Sequence, residues 1–193
     1  RPYLPDFDLE KNVREADTAA KFSPRRIFVE EAAAESDCAE RFRKFFPAAR
    51  ITPIDSLKEY LRSRSQTKYD YSSRGERVFL IGEKHDFYKP CPCTRRSVPC
   101  GYHIFNLAFG CIYECAYCYL QEYSNAPGLI FPVNLERYFS RFRQYYNSPE
   151  ARRWRRGKRL RIGTGEFSDS LMLDHITGYA PLLIDFFKEL KDV

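Results

Sequence analysis

The sequence predicts an α/β fold, and three observations carry that reading. Residues 25–82 alternate short β-type runs with helix-forming stretches, the order expected of strands and helices sharing one layer. From residue 101 a second strand–loop–helix pattern begins, and its strands run into loops rich in glycine or cysteine. Of the 193 residues, 44% are hydrophobic and 16% aromatic, enough to bury the core of one domain or one and a half. The expected organisation is an extended, proline-bearing arm over 1–24, an α/β region with a cysteine-containing linker over 25–100, and a further β/α part over 101–193.

Arg-Ile-Phe-Val-Glu at 26–30 is a β-type run. A helix is expected over 31–46, with Ala32, Ala33 and Ala34 supplying propensity and Pro47 ending it; Cys38 on it reads as a packing residue. Residues 50–54 form a second strand. Ser56 and Glu59 have the spacing of a capping box that opens a helix to about residue 64. A polar loop leads to a third strand at 77–81. Residues 83–100, with Pro90, Pro92 and Pro99, read as irregular. Cys91, Cys93 and Cys100 lie there, and packing, a second metal site and outer support for a cluster all fit them. Residues 102–107 read as a strand in which His103 alternates with apolar neighbours, as a hydrogen-bonded core histidine does more often than a ligand.

That strand leads through Gly110 into Cys111-Ile-Tyr-Glu-Cys115-Ala-Tyr-Cys118. Three thiols in a C-x3-C-x2-C loop can face one metal cluster from one side. Iron–sulfur cubanes are normally held by four thiolates, so three local ligands leave one iron open to a substrate or cofactor. Structural zinc favours two C-x2-C pairs, and buried free cysteines rarely cluster this closely. The chain has seven cysteines, at 38, 91, 93, 100, 111, 115 and 118. An odd count, crowded into one stretch, argues against a secreted disulfide scaffold and for metal or cluster binding in a reducing cytoplasm. No apolar run nears the length of a membrane span, and no leader pattern is visible. The net charge of +6 favours an anionic partner.

Beyond a turn at 125–128 and a short apolar run at 129–131, Leu135, Tyr138, Phe139, Phe142 and Tyr146 recur at helical spacing, with Asn134 as N-cap. Arg152, Arg153, Arg155, Arg156, Lys158, Arg159 and Arg161 crowd the next stretch. They read either as a solvated helix end or as a phosphate-contacting patch with Trp154 available to stack on a base. A strand at 160–162 ends in Gly163-Thr164-Gly165-Glu166. Two glycines there let backbone approach a ligand, sites in parallel α/β folds collect at that end of the strands, and Glu166 can accept hydrogen bonds from a cation. A tight turn with Ser168 or Asp169 as an N-cap fits the same residues. A closing helix is expected over 174–191, with Pro181 in its first turn and Leu182, Leu183, Phe186, Phe187 and Leu190 on its buried face.

The C-x3-C-x-Tyr-C loop after a strand resembles the radical S-adenosylmethionine (SAM) superfamily, and the Gly163–Glu166 strand end is similar to that superfamily's Gly-Gly-Glu motif. Cys115-Ala-Tyr-Cys-Tyr-Leu120, Ser168-Asp169 and Asp174-His-Ile-Thr-Gly178 resemble the spore photoproduct lyases within it. The resemblance implies a partial (β/α) TIM-type barrel of the radical SAM kind, truncated after about two of some six strand–helix units, behind a small α/β layer. It implies a [4Fe–4S] cluster on Cys111, Cys115 and Cys118, with SAM on the open iron. Gly163, Gly165, Glu166, Ser168 and Asp169 would bind SAM, Tyr117 would lie near cluster and SAM, and Tyr119 would lie by the substrate as a hydrogen-transfer partner. An electron donor such as flavodoxin or ferredoxin, thymine-dimer lesions in DNA and a cytoplasmic location follow as further expectations. Glu166 departs from the lyase pattern, which has a cysteine there that returns a hydrogen atom to the product radical. A radical SAM enzyme acting on another substrate and a zinc-binding nucleic-acid module are the competing readings.

Overall fold

The computed structural model describes residues 22–63, 76–82, 88–92, 98, 100–113, 115–123 and 126–193. Cys93, part of the arm over 1–24 and most of the 65–76 loop lie outside the described residues.

Four parallel strands form the first sheet: β1 (Arg26–Glu30), β2 (Arg50–Ile54), β3 (Arg77–Ile81) and β6 (Leu129–Pro132), in the order β2-β1-β3-β6. β1 and β3 read as continuous apolar runs because both faces are covered, as in parallel sheets generally. Successive side chains point to opposite faces. Ile27, Val29, Val78 and Leu80 therefore enter the main core, while Phe28, Phe79 and Ile81 enter a smaller cluster with Leu57 and Ile130. Phe28 and Phe79 stack there at 4.8 Å.

The helix expected over 31–46 is interrupted. A 3-10 turn at Glu31–Ala33 precedes α1 (Asp37–Phe45), because Ser36 stops the first turn and caps the second by accepting from Ala39 N. Cys38 faces the core, 3% exposed, with its sulfur 3.6 Å from Tyr179 OH; burial pushes the thiol up to about 11, so it packs rather than reacts. The expected capping box is present at α2 (Leu57–Ser63): Glu59 N donates to Ser56 Oγ, and that hydroxyl donates to the Glu59 carboxylate.

The second sheet is β4-β5-β7. β5 (Tyr102–Phe105) pairs antiparallel with β4 (Tyr88–Pro90) and parallel with β7 (Arg161–Gly163). β4 lies in the stretch expected to be irregular. Pro90 closes it, with Pro92 just beyond, at the edge of the sheet, where a missing N–H costs least. Between β5 and β7 the chain passes through the cysteine loop, a short α3 (Leu120–Tyr123), β6 in the other sheet, and α4 (Leu135–Tyr146), which Asn134 caps by accepting from Arg137 N. α5 (Pro149–Arg155) follows.

The closing helix is also in two pieces, α6 (Asp174–Thr177) and α7 (Tyr179–Lys188), broken at Gly178 with φ +65°. The break rotates the apolar face: Leu183 and Phe186 are buried, but Leu182 is 46% exposed. Phe186 stacks on Phe139 of α4 at 4.2 Å. Arg41 of α1 reaches across to donate to the carbonyls of Ile176 and Thr177, both at 2.6 Å. One core, from Ile27 to Phe186, thus joins the two sheets.

Candidate functional site

The two sheets meet at the cysteine loop. Phe109, just past β5, exchanges two backbone hydrogen bonds with Ile130 of β6, each 2.9 Å. Gly110 then turns the chain with φ +82°, a conformation that costs glycine little and other residues more. Its N–H donates to Phe167 O at 3.0 Å, which docks the cysteine loop on the loop that follows β7. The rings of Phe109 and Phe167 stack over that joint at 4.8 Å. Farther along, Ile112 N donates to Met172 Sδ at 3.3 Å. Two loops, both at the carboxyl ends of adjacent parallel strands, are thereby fixed against each other.

Cys111, Cys115 and Cys118 are outside any disulfide and half-buried. Cys118 N donates to Cys115 O in a tight turn. Burial pushes the Cys111 thiol up, and hydrogen bonds from the Tyr113 and Asp169 backbone oppose it. Among the described residues no three His, Cys, Asp or Glu side chains are gathered as a metal ion would need. The donor set nevertheless fits a cluster by its chemistry: three thiols outside any disulfide, of which Cys111 is reached by backbone donors of the kind that tune cluster sulfurs.

Glu166 anchors the other loop. Its Oε2 takes Lys89 Nζ at 2.9 Å and Asn106 Nδ2 at 3.1 Å, while its backbone carbonyl accepts from Tyr119 OH. Lys89 also sits 5.4 Å over the Phe167 ring. The expected cation acceptor is therefore held by one strand-edge lysine and one buried amide. Ser168 is 3% exposed, and its Oγ has no hydrogen-bond partner among the described residues. Asp169 is exposed and accepts from Leu171 N. Thr164 and Ser170 bond through their hydroxyls at 2.6 Å. Tyr117 is 92% exposed; the charge at Cys115, to which it also hydrogen-bonds, holds its phenol above the usual range.

Gly163 has a nearer reason to be glycine than a ligand. A Cβ there would fall 1.6 Å from the Tyr102 hydroxyl, so the close approach is to a side chain of the neighbouring strand. A Cβ on Gly165 would meet Ser168 O at 2.9 Å, which is the tight-turn reading of this loop.

The basic run is mostly solvated, with Arg152, Arg153, Arg156, Lys158, Arg159 and Arg161 exposed. Arg155 is spent inside the fold: its guanidinium lies 3.5 Å over the Tyr146 ring and donates to Tyr146 O. Trp154 is half-buried, packed under Gly101 with Lys158 4.6 Å over its ring. Cys91 is half-buried and Cys100 exposed, and both lie outside any disulfide. Sequence reasoning missed Lys89 and Asn106. An isolated Lys-Pro and an Asn at the end of an apolar strand carry no spacing signal, because both reach Glu166 only through the pairing of β4, β5 and β7.

Among the described residues no helix is long and apolar enough to cross a membrane. A search of curated proteins finds no significant match. Solved structures do match. A spore photoproduct lyase complexed with dinucleoside spore photoproduct is 22% identical with a TM-score of 0.65, covering 89% of this chain and 48% of that one. A doubly substituted spore photoproduct lyase with bound AdoMet and dinucleoside spore photoproduct is 21% identical with a TM-score of 0.63 and the same coverage. At this identity the likeness establishes the fold, a mixed α/β arrangement matching part of the lyase, and the chain spans about half the length of those proteins. The family model described as spore photoproduct lyase matches residues 22–192, and by that match the chain belongs to the spore photoproduct lyase family.

Proposed function

We propose that this chain is a radical SAM enzyme of the spore photoproduct lyase type. The observation that carries the reading is the docking of the cysteine loop on the Glu166 loop at the carboxyl ends of two adjacent parallel strands. Cys111, Cys115 and Cys118 would hold a [4Fe–4S] cluster. When bound, the cluster and SAM would supply reductive cleavage of SAM to methionine and a 5′-deoxyadenosyl radical. The protein's share is positioning and exclusion of water. Ser168 and Asp169 would contact SAM, and a buried hydroxyl without a partner suits the first of these. Tyr117 would stand beside cluster and SAM. Tyr119, tied to the Glu166 carbonyl, would stand beside the substrate.

The substrate we propose is a methylene-bridged thymine dimer in DNA, flipped out of the duplex to reach a buried radical. The exposed cations between Arg152 and Arg161 would grip phosphates, with affinity that falls as salt rises. Glu166 changes one step. A carboxylate paired with Lys89 is a poor source of a hydrogen atom, so the atom returned to product would come from another group.

The test is anaerobic reconstitution with iron and sulfide, reduction, and assay for 5′-deoxyadenosine from SAM. We expect formation by the wild type and loss in Cys115→Ala. Zinc bound in place of iron, without cleavage, would overturn the reading in favour of a zinc module. Separately, replacing Arg152, Arg153 and Arg156 by Ala should weaken binding to duplex DNA about ten-fold and flatten its salt dependence. Unchanged affinity would remove DNA from the proposal and favour a small-molecule or peptide substrate.

A further inference from the structure

We infer that the basic run forms a surface for the backbone of duplex DNA that is separate from the reaction site and stands at the opposite end of the same two strands; the inference rests on the DNA reading above. β5 and β7 run parallel. The cysteine loop and the Glu166 loop leave their carboxyl ends, whereas the basic run arrives at their amino ends. There Arg161 N donates to Gly101 O, just ahead of β5, and Leu160 N donates to Asp192 O. Tyr146 OH, at the end of α4, donates to Lys191 O and accepts from Lys191 N. Trp154, near the end of α5, packs under Gly101. The start of β7, the ends of α4 and α5 and the residues after α7 therefore share one face. The three residues of β7, at ~3.3 Å each, put about 10 Å of sheet between that face and the Glu166 loop. That is the rise of about three steps along one DNA strand, so a phosphate held at Arg159 is not one beside a group bound at Glu166.

The chemistry of this face points to phosphates. Arg152, Arg153, Arg156, Lys158, Arg159 and Arg161 are exposed, and among the described residues none of them is held in an ion pair. All but Lys158 are arginines, whose planar guanidinium meets phosphate oxygens in pairs. Leu160 is buried, while Arg159 and Arg161 on either side of it face solvent. Alternate residues of extended chain stand about 7 Å apart, close to the rise of two steps along one strand. Lys158 and Arg161 lie over the Trp154 and Tyr102 rings, at 4.6 and 5.4 Å, which orders them before any ligand arrives. None of the large exposed apolar side chains among the described residues falls between 148 and 161. The face thus lacks the apolar centre of a protein interface and the apolar stripe of a membrane-surface helix. Trp154 has its ring covered by Lys158 and its Nε1 edge by Gly101, which leaves phosphates, rather than unstacked bases, as the group contacted. Phosphate contacts carry no sequence information, so the surface takes undamaged duplex as readily as damaged.

The experiment follows an undamaged duplex of about ten base pairs, one helical turn, on the cluster-reconstituted chain. Fluorescence anisotropy gives its affinity for wild type and for the double variant Arg159→Glu with Arg161→Glu. Arg159→Ala with Arg161→Ala is held in reserve should charge reversal lower the melting temperature. Hydrogen exchange maps where the duplex lies. We expect the variant to lose about ten-fold in affinity and its salt slope to fall by about two. The duplex should protect the peptides carrying Gly101 and Arg159 but not those carrying Cys111 and Glu166. Protection of the Cys111 and Glu166 peptides would make the face and the site one surface. Equal affinity in the variant would place the duplex elsewhere, and a single strand bound more tightly than the duplex would mean that bases are contacted. Each of these results overturns the inference and leaves DNA binding standing. A wild type that binds no duplex, including one that binds phosphatidylserine vesicles in its place, would instead overturn the DNA reading, and this inference with it.

Discussion

Two buried or half-buried glutamates sit at the carboxyl ends of parallel strands, and their surroundings differ in one respect. Glu30 ends β1, 2% exposed, with Oε1 accepting from Leu57 N at 2.8 Å and Oε2 from Gly82 N at 2.9 Å. Those two N–H groups open α2 and close β3, so the carboxylate serves as a clasp between elements. Glu166 follows β7 and receives both its side-chain donors, Lys89 and Asn106, on one oxygen. The neighbouring Asn106 Oδ1 and Ser168 Oγ remain without partners among the described residues. The first environment is closed by its own backbone, whereas the second still has acceptors to offer. In one chain, the same residue type at the same end of a parallel strand is mortar in one sheet and, on the function proposed above, part of a site in the other.

The comparison breaks most sharply under paired alanine substitutions read by urea denaturation. Glu30→Ala leaves two buried N–H groups without an acceptor, at about 1–3 kcal/mol for each group, so a loss of roughly 3 kcal/mol is expected with the midpoint shifted and the slope kept. Glu166→Ala removes an ion pair whose side chains are 40% and 26% exposed, worth about 1 kcal/mol or less, and leaves one buried donor, Asn106 Nδ2, without its acceptor, so a loss of about 2 kcal/mol, smaller than at Glu30, is expected. Equal losses at the two positions would make Glu166 a second clasp and erase the distinction.

The clasp and the site were not equally legible in the sequence. β1 and β3 stand out as apolar runs because both faces are buried, and the Ser56–Glu59 cap and the Asn134 cap are local patterns that survive folding unchanged. The cysteine loop is legible for the same reason, since its spacing is local. Glu166 is visible as the end of a glycine-bearing strand, but its partners are not. Lys89 arrives on an antiparallel edge strand only three residues long, in a stretch whose prolines suggest irregular chain. Asn106 becomes informative only when the amide is found buried and half-satisfied. The glycines mislead in part: Gly163 is read as room for a ligand, yet the space goes to Tyr102. The 174–191 helix fails at Gly178 because apolar periodicity continues across a left-handed residue that periodicity cannot register.

His103 offers a finer cut, because it lies in the site's sheet yet behaves like the clasp. It is 2% exposed, its Nδ1 is 2.9 Å from Tyr88 OH, and the Tyr145 ring packs on it at 4.4 Å. This is the hydrogen-bonded core histidine that its alternation with apolar neighbours suggests. Burial lowers its pKa to about 4, against about 6.5 for a free imidazole. Between those values the unfolded chain binds a proton that the folded chain refuses, so unfolding gains from each step down in pH. Stability from this residue is therefore full above about pH 6.5, falls as pH drops towards 4, and levels below it. Screening trims the full shift, and a loss on the order of 2 kcal/mol is expected. Carboxylates titrate over part of the same window, so the measurement is a difference: urea unfolding from pH 7.5 to 4 for wild type and His103→Gln. The glutamine variant should be less stable at pH 7.5 and have the shallower slope, the two curves converging near pH 4. Parallel curves would mean that His103 is solvated enough to titrate normally, and would move it from the closed part of this sheet to the open part beside Glu166.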